Sequence, residues 1–267
     1  MAYPMTGKEI LDAAGRLADW LDAETYPQCR AACEWIVERE GDPENALCYA
    51  ERLHFADGQQ DLPAPVGELI IGLYHTAITM FNSAEAMLNL GALYYTGRGC
   101  EQDYGRAMQY YGMAAERGSV IALENLGYCY YYGRDVEVDY ERAYYYYSQA
   151  AVCGRMTALY KIGDLYRYGL YLPQNGKRAL ELYRQALRGA EDAGERAYGP
   201  VCLRIGDCFL HGVGTDADAR QALEYYQEAE RALYDMVADG EDLYRGSLRR
   251  AIEGQEAART LLRETLG

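Results

Sequence analysis

Several residue types are scarce in this chain of 267 residues, and each scarcity closes a class of function. Serine occurs only at 83, 119, 148 and 247 and never inside a Gly-x-Ser-x-Gly elbow, so the serine-hydrolase arrangement has no nucleophile. Glycine is common but forms neither a Walker loop nor a complete Gly-x-Gly-x-x-Gly, which removes the usual phosphate cradles. Of the three histidines, His54 and His75 have no identifiable nucleophile beside them. No window of about 18 uninterrupted apolar residues is present to span a bilayer. The stretch Met1–Glu9 has no basic start followed by an apolar run, so a cytoplasmic, non-membrane protein is expected. Positive charge is also short: 26 Lys and Arg against 41 Asp and Glu leave a net charge of -15. By segment the balance is -9 over residues 1–80, -1 over 81–200 and -5 over 201–267. Nucleic acids and anionic membranes recruit clustered cations, so neither is an expected partner. The acidity favours solubility and points to a basic partner.

The eight cysteines (29, 33, 48, 100, 129, 153, 202, 208) follow no regular pairing, and reduced, mostly buried thiols are expected. Cys202, Cys208 and His211 have no second Cys/His pair at matching spacing, so no metal is expected, and nothing implies a cofactor. Half of the residues are apolar and no low-complexity tract stands out, so the chain should fold.

What the chain does have is a repeat. Leu90-Gly91-Ala-Leu-Tyr94-Tyr-Thr-Gly97 aligns with Leu126-Gly127-Tyr-Cys-Tyr130-Tyr-Tyr-Gly133, then with Ile162-Gly163-Asp-Leu-Tyr166-Arg-Tyr-Gly169 and Ile205-Gly206-Asp-Cys-Phe209-Leu-His-Gly212. The first three copies are 36 residues apart and the fourth follows after 43. A period of this size means stacked supersecondary units. Each unit reads as a helix ending at a glycine suited to positive φ (Gly97, Gly133, Gly169, Gly212), then a second helix capped by Asp103, Asp139, Asn175 or Asp218. The glycine of each Leu/Ile-Gly pair should let two helices approach closely. The seven extra residues of the third unit fall in Leu187–Pro200 and should extend its second helix or loop.

Upstream, a capping box at Thr6 and Glu9 opens a helix over 6–23, a second helix follows Tyr26-Pro27, and a third starts at Asp42-Pro43 and runs to about Gly58. Gln59–Pro65 reads as a loop, with helix resuming from Val66 to about Asn82. Residues 42–82 resemble a worn repeat. The expected organisation is one all-α domain over 1–267. It comprises a helical part (1–83), repeats at 84–118, 119–154, 155–196 and 197–240, and a capping helix at 241–267.

The pattern Ala86-x3-Leu90-Gly91-x2-Tyr94-x2-Gly97-x-Gly99-x3-Asp103-x3-Ala107-x2-Tyr110-Tyr111-x2-Ala114-Ala115-x2-Gly118, with its next copy Ala122–Gly154, resembles the Sel-one-like repeat family, a relative of the tetratricopeptide repeat. The resemblance implies an alpha-alpha superhelix whose inner surface holds a peptide or protein, hence a non-catalytic adaptor or scaffold in signalling or assembly. Some secreted, cysteine-rich members are linked to β-lactam binding; Cys129 and Cys153 form a pair that no other unit repeats, so that branch, with a hydrolase-like activity, is an alternative only. A structural spacer or self-associating protein is a third reading, and the oligomeric state stays open.

Tyrosine is the outstanding bias: 28 residues. Tyr94, Tyr110, Tyr111, Tyr130, Tyr146, Tyr147 and Tyr166 read as core. The groove-facing positions implied by the resemblance to tetratricopeptide repeats give a candidate surface of Tyr95, Glu124, Tyr128, Tyr131, Tyr132, Tyr160, Asp164, Arg167, Tyr168, Asp207 and His211. Tyrosines there offer large amphipathic contact area to a peptide, and the carboxylates, read as solvated groove charges, suggest that it is slightly basic.

Overall fold

The computed structural model describes residues 7–16, 30, 33–34, 43–54, 64–193, 196–240 and 242–266. Every regular element among them is helical: α1 (Gly7–Gly15), α2 (Pro43–His54), α3 (Ala64–Phe81), α4 (Ala84–Thr96), α5 (Tyr104–Glu116), α6 (Val120–Tyr132), α7 (Tyr140–Val152), α8 (Met156–Tyr168), α9 (Gly176–Ala193), α10 (Tyr198–His211), α11 (Ala219–Ala238), a 3-10 turn (Asp242–Tyr244) and α12 (Arg245–Leu266). Thr6 of the expected capping box, most of the helix after Tyr26-Pro27 and the end of the helix begun at Pro43 lie outside the described residues.

The chain forms two compact units. Unit 1 holds residues 1–129 and 133–137, and unit 2 holds 130–132 and 138–267. In unit 1, α3 is the central helix, with Leu69, Ile70, Leu73 and Tyr74 buried against α1, α2 and α4. It starts at Ala64, two residues before the expected Val66, because Pro65 falls in the first turn, where an amide hydrogen would have no helical acceptor. Its 18 residues reach a mean hydropathy of 1.2, the length and composition of a membrane-crossing segment. Glu68 conceals this from a search for unbroken apolar runs, and half of the helix is buried inside the unit.

The repeat grammar is realised locally. Gly97, Gly133, Gly169 and Gly212 close α4, α6, α8 and α10 at φ 70°, 67°, 67° and 65°. Asp103, Asp139 and Asn175 cap α5, α7 and α9 by accepting from the amides of Arg106, Arg142 and Arg178, and Asp218 caps α11 through Arg220 and Gln221. At the repeat glycines the close neighbour is a tyrosine ring of the paired second helix. A Cβ on Gly91 would stand 2.7 Å from the Tyr111 ring, one on Gly163 2.5 Å from Tyr183, and one on Gly206 2.9 Å from Tyr226. Each glycine is thus a slot for a ring, and the ring fills it. Five of the third unit's seven extra residues go into α9, which has 18 residues against 13 in α5 and α7. In unit 2, α12 packs on α11, with Ala251, Gln255 and Ala258 buried and Gly254 set against the Tyr226 ring.

Candidate binding surface

Of the tyrosines expected in the core, Tyr94, Tyr111 and Tyr147 are buried, whereas Tyr110, Tyr130, Tyr146 and Tyr166 are half-buried. Three of the half-buried rings stack in register: Tyr110 on the buried Tyr94 in unit 1 (5.8 Å, 9°), and Tyr130 on Tyr146 in unit 2 (5.7 Å, 6°). The fourth repeat substitutes Phe209 on Tyr225 (5.7 Å, 8°). The guanidinium of Arg106 lies 5.3 Å from the Tyr94 ring, with its Nε 3.2 Å from the capping Asp103. Arg142 repeats this over Tyr130 (5.3 Å) with Asp139 (3.4 Å).

In unit 1 the expected groove residues Tyr95, Glu124 and Tyr128 are half-buried. The Tyr95 ring packs at 5.0 Å on Tyr104 and edge-on at 6.2 Å on Tyr128. Arg134 covers the Tyr104 ring at 5.4 Å. Burial pushes the Tyr95 hydroxyl up, with the neighbouring Tyr128 adding to it.

In unit 2 the expected residues separate into two groups. Tyr160, Asp164, Arg167 and Asp207 are buried, so the two carboxylates are not solvated groove charges. Asp164 accepts from Tyr183 Oη (2.7 Å) and is held in a fork by Arg204 Nε and Nη2, both at 2.7 Å. Asp207 repeats the arrangement: it accepts from Tyr226 Oη (2.8 Å), Arg250 Nη2 (2.7 Å) and Arg167 Nη1 (3.1 Å). Burial would raise the Asp164 carboxyl, but Arg204, with Lys161 and the Tyr183 hydroxyl, outweighs it and holds the group below the ordinary carboxylate range. The guanidinium of Arg204 also lies 4.3 Å from the centre of the Tyr160 ring. Lys161 Nζ donates to Tyr132 Oη (2.7 Å) and stands 4.9 Å and 4.7 Å from the Tyr131 and Tyr132 ring centres. The chain therefore places its own cations against these rings.

What stays open to solvent is narrower. Tyr132 (44% exposed), Tyr168 (53%) and His211 occupy the same place in three successive first helices, five residues beyond the repeat glycine, and all are exposed. Lys161, Arg204, Arg250, Tyr183 and Tyr226 were not among the expected site residues. One signal in the sequence marks two of them: Lys161 and Arg204 each stand two residues before a repeat glycine and three before Asp164 or Asp207. For nucleophilic or metal chemistry the setting is poor, since burial pushes the Cys208 thiol up to about 11 and holds it protonated. Among the described residues no cluster of three His, Cys, Asp or Glu side chains could hold a metal ion. The seven described cysteines carry free thiols, with Cys33, Cys129, Cys202 and Cys208 buried and Cys48 and Cys153 exposed.

Comparison with protein families finds the Sel1 repeat at residues 84–119, 120–154, 157–189 and 200–232, together just over half of the chain. The chain belongs to the Sel1 repeat family. Among solved structures, the Sel1 repeat protein from Oxalobacter formigenes is similar at 21% identity and a TM-score of 0.61, over 94% of this chain and 99% of that one. The protective antigen c5321 of uropathogenic Escherichia coli strains, which displays an SLR fold, is similar at 20% identity and a TM-score of 0.60. That alignment covers 96% of this chain and 54% of the antigen, so the present chain spans about half of its length. At such identities the likeness shows the fold alone, an α solenoid of Sel1 repeats. No curated protein matches the chain. Sel1 repeat proteins are in general non-catalytic scaffolds for protein interaction.

Proposed function

We propose that this Sel1 repeat protein is a cytoplasmic, non-catalytic scaffold that binds a peptide or protein through the tyrosine-rich faces of its first helices. The observation that carries this reading is the exposed column Tyr132, Tyr168 and His211, repeated at one helical position while its neighbours are locked into the ion-pair network. A fixed network beneath an exposed aromatic row gives a partner rigid, pre-organised anchors, so less ordering entropy opposes binding. Tyr131, in the same unit, is half-buried and serves as its margin; Tyr160, Asp164, Arg167 and Asp207 act as its support. Because both carboxylates are matched by arginines, this face has no special preference for a basic partner.

The test uses the full chain. A partner recovered by affinity purification and identified by mass spectrometry is titrated against the wild type and against Tyr168→Ala/His211→Ala. The double variant should bind at least about 1 kcal/mol more weakly with unchanged circular dichroism, as truncation of interface anchors does. Equal affinity with intact helicity would move the partner to another surface, and turnover of the captured molecule would replace the scaffold reading with an enzymatic one.

A further inference from the structure

The turns between paired helices contain a second left-handed residue, at φ 74° in Gly99, 57° in Asp135, 65° in Tyr171 and 75° in Gly214. These are equivalent positions in the four repeats. In the first and fourth turns the position packs backbone against a glycine: a Cβ on Gly67 would collide with the Gly99 carbonyl, and one on Gly176 would reach within 2.8 Å of the Gly214 nitrogen. In the second turn, Gly105 leaves room for Asp135, whose Oδ2 would lie 2.6 Å from an added Cβ. The third turn is different. Tyr171 takes the strained conformation that glycine adopts freely, and the place of Gly105, two residues after the helix cap, is held by Glu141. The Tyr171 ring lies 5.8 Å from Tyr144 at an interplanar angle of 45°, and its hydroxyl donates to Glu141 Oε1 (3.3 Å). Tyr171 is 52% exposed, Glu141 is exposed and Tyr144 half-buried, so two rings and a carboxylate open together on the surface of unit 2.

The chain shows twice what such a set accepts. Arg106 sits between the Tyr94 ring and Asp103, and Arg142 between the Tyr130 ring and Asp139. The set formed by Tyr144, Tyr171 and Glu141 has the aromatic and the anionic parts of that arrangement, and among the described residues no guanidinium or ammonium is recorded over either ring. Arg142, next in sequence to Glu141, is committed to Tyr130 and Asp139. We infer that Tyr144, Tyr171 and Glu141 form a docking site for an arginine side chain presented by a basic segment of a partner protein. A guanidinium stacks on tyrosine and pairs with a carboxylate in one plane, which an ammonium cannot do, so arginine is preferred to lysine. The net charge of -15 draws basic segments toward the chain. This site lies on the second-helix side of the repeat and does not depend on the face carrying Tyr132, Tyr168 and His211.

The full chain, labelled with carbon-13 in its tyrosine rings, is titrated with the peptide Ac-Gly-Arg-Gly-Arg-Gly-NH2 and followed by NMR, the two ring signals being assigned through Tyr144→Phe and Tyr171→Phe. Saturable shifts at Tyr144 and Tyr171 are expected, with none from the citrulline counterpart. Glu141→Gln should weaken binding by roughly three- to tenfold, the scale of one exposed charge pair with a partly desolvated cation. Tyr171→Gly should abolish the Tyr144 shift while the melting temperature stays within about 5 °C of wild type. Any of four results overturns the site: no saturable shift at these rings, equal shifts from the citrulline peptide, shifts confined to Tyr132 and Tyr168, or a Tyr171→Gly variant that binds as wild type. A fall of more than about 10 °C in its melting temperature would also overturn it, by making the ring a structural part of the turn.

Discussion

In unit 1, the positions two before and one after the repeat glycine of α4 carry Asn89 and Ala92; in unit 2 they carry Lys161 and Asp164 on α8, and Arg204 and Asp207 on α10. Asn89 donates to Glu51 (2.7 Å), a carboxyl that burial and the neighbouring Glu85 raise. The unit 2 carboxylates instead each meet two cationic nitrogens and one tyrosine hydroxyl. The same backbone slot thus tolerates a neutral lining or a buried ionic one. The ionic lining fixes which residues meet, because a carboxylate displaced from its guanidinium loses far more than an apolar contact displaced by the same distance.

The largest expected effect probes that lining. Arg204→Met leaves Asp164 buried without its fork and should cost unit 2 about 3–5 kcal/mol in urea unfolding, whereas Asp164→Asn/Arg204→Met should recover a substantial part of that loss. A single variant as stable as wild type would break the contrast between the units.

Acid separates the units next. Burial, followed by Arg98, lowers His54 to about 4, and its Nδ1 stands 3.0 Å from the buried Tyr74 hydroxyl. Unfolded, the imidazole takes up a proton near pH 6.5, so between pH 6.5 and 4 the unfolded chain binds more protons and stability falls as pH falls, by about 3 kcal/mol in all. Asp164, with its lowered folded value, contributes stability that is lost only at lower pH, as the medium falls through the ordinary carboxylate range and below. Hydrogen exchange should therefore show unit 1 losing protection between pH 6.5 and 4 while unit 2 holds, and His54→Gln should flatten the unit 1 profile.

The ring slot, which both units share, should respond alike. Gly91→Ala and Gly163→Ala each force a tyrosine ring to shift and should cost about 1–3 kcal/mol in thermal or urea unfolding. Gly112→Ala, with nothing within 4 Å of the added methyl, should raise stability by about 0.5–1 kcal/mol. Very different costs at Gly91 and Gly163 would show that the lining changes the slot as well.

The parts that were legible in the sequence are those written within a few residues. Cap, closing glycine and apolar step recur at fixed offsets, so Asp103, Asp139, Gly97 and Gly133 could be placed without coordinates. The reading of Asp164 and Asp207 as solvated charges misjudged their state, since both are buried in ion pairs. Asp164 and Arg204 are 40 residues apart, as are Arg167 and Asp207, and Asp207 meets Arg250 across 43. Nothing local distinguishes a carboxylate that faces water from one that a later helix will cover. The left-handed Tyr171 escaped for a related reason: the break in the Gly-x-Gly pattern was visible, but only the backbone shows that the turn keeps its shape and accepts the strain.

The pairing of glycine and ring also bears on where the chain can change length. Tyr111, Tyr183 and Tyr226 each follow their glycine by the same 20 residues, although the spacing between repeats grows from 36 to 43. The extra residues of the third repeat enter after Tyr183, outside that interval. An insertion between a glycine and its ring would slide the tyrosine off the slot and leave a groove in one helix with an unplaced ring on the other. One added after the ring merely lengthens the second helix and its exit. Each repeat therefore has a segment of fixed length followed by one of free length, and drift, duplication or a spliced-in tag should be tolerated in the second and rejected in the first.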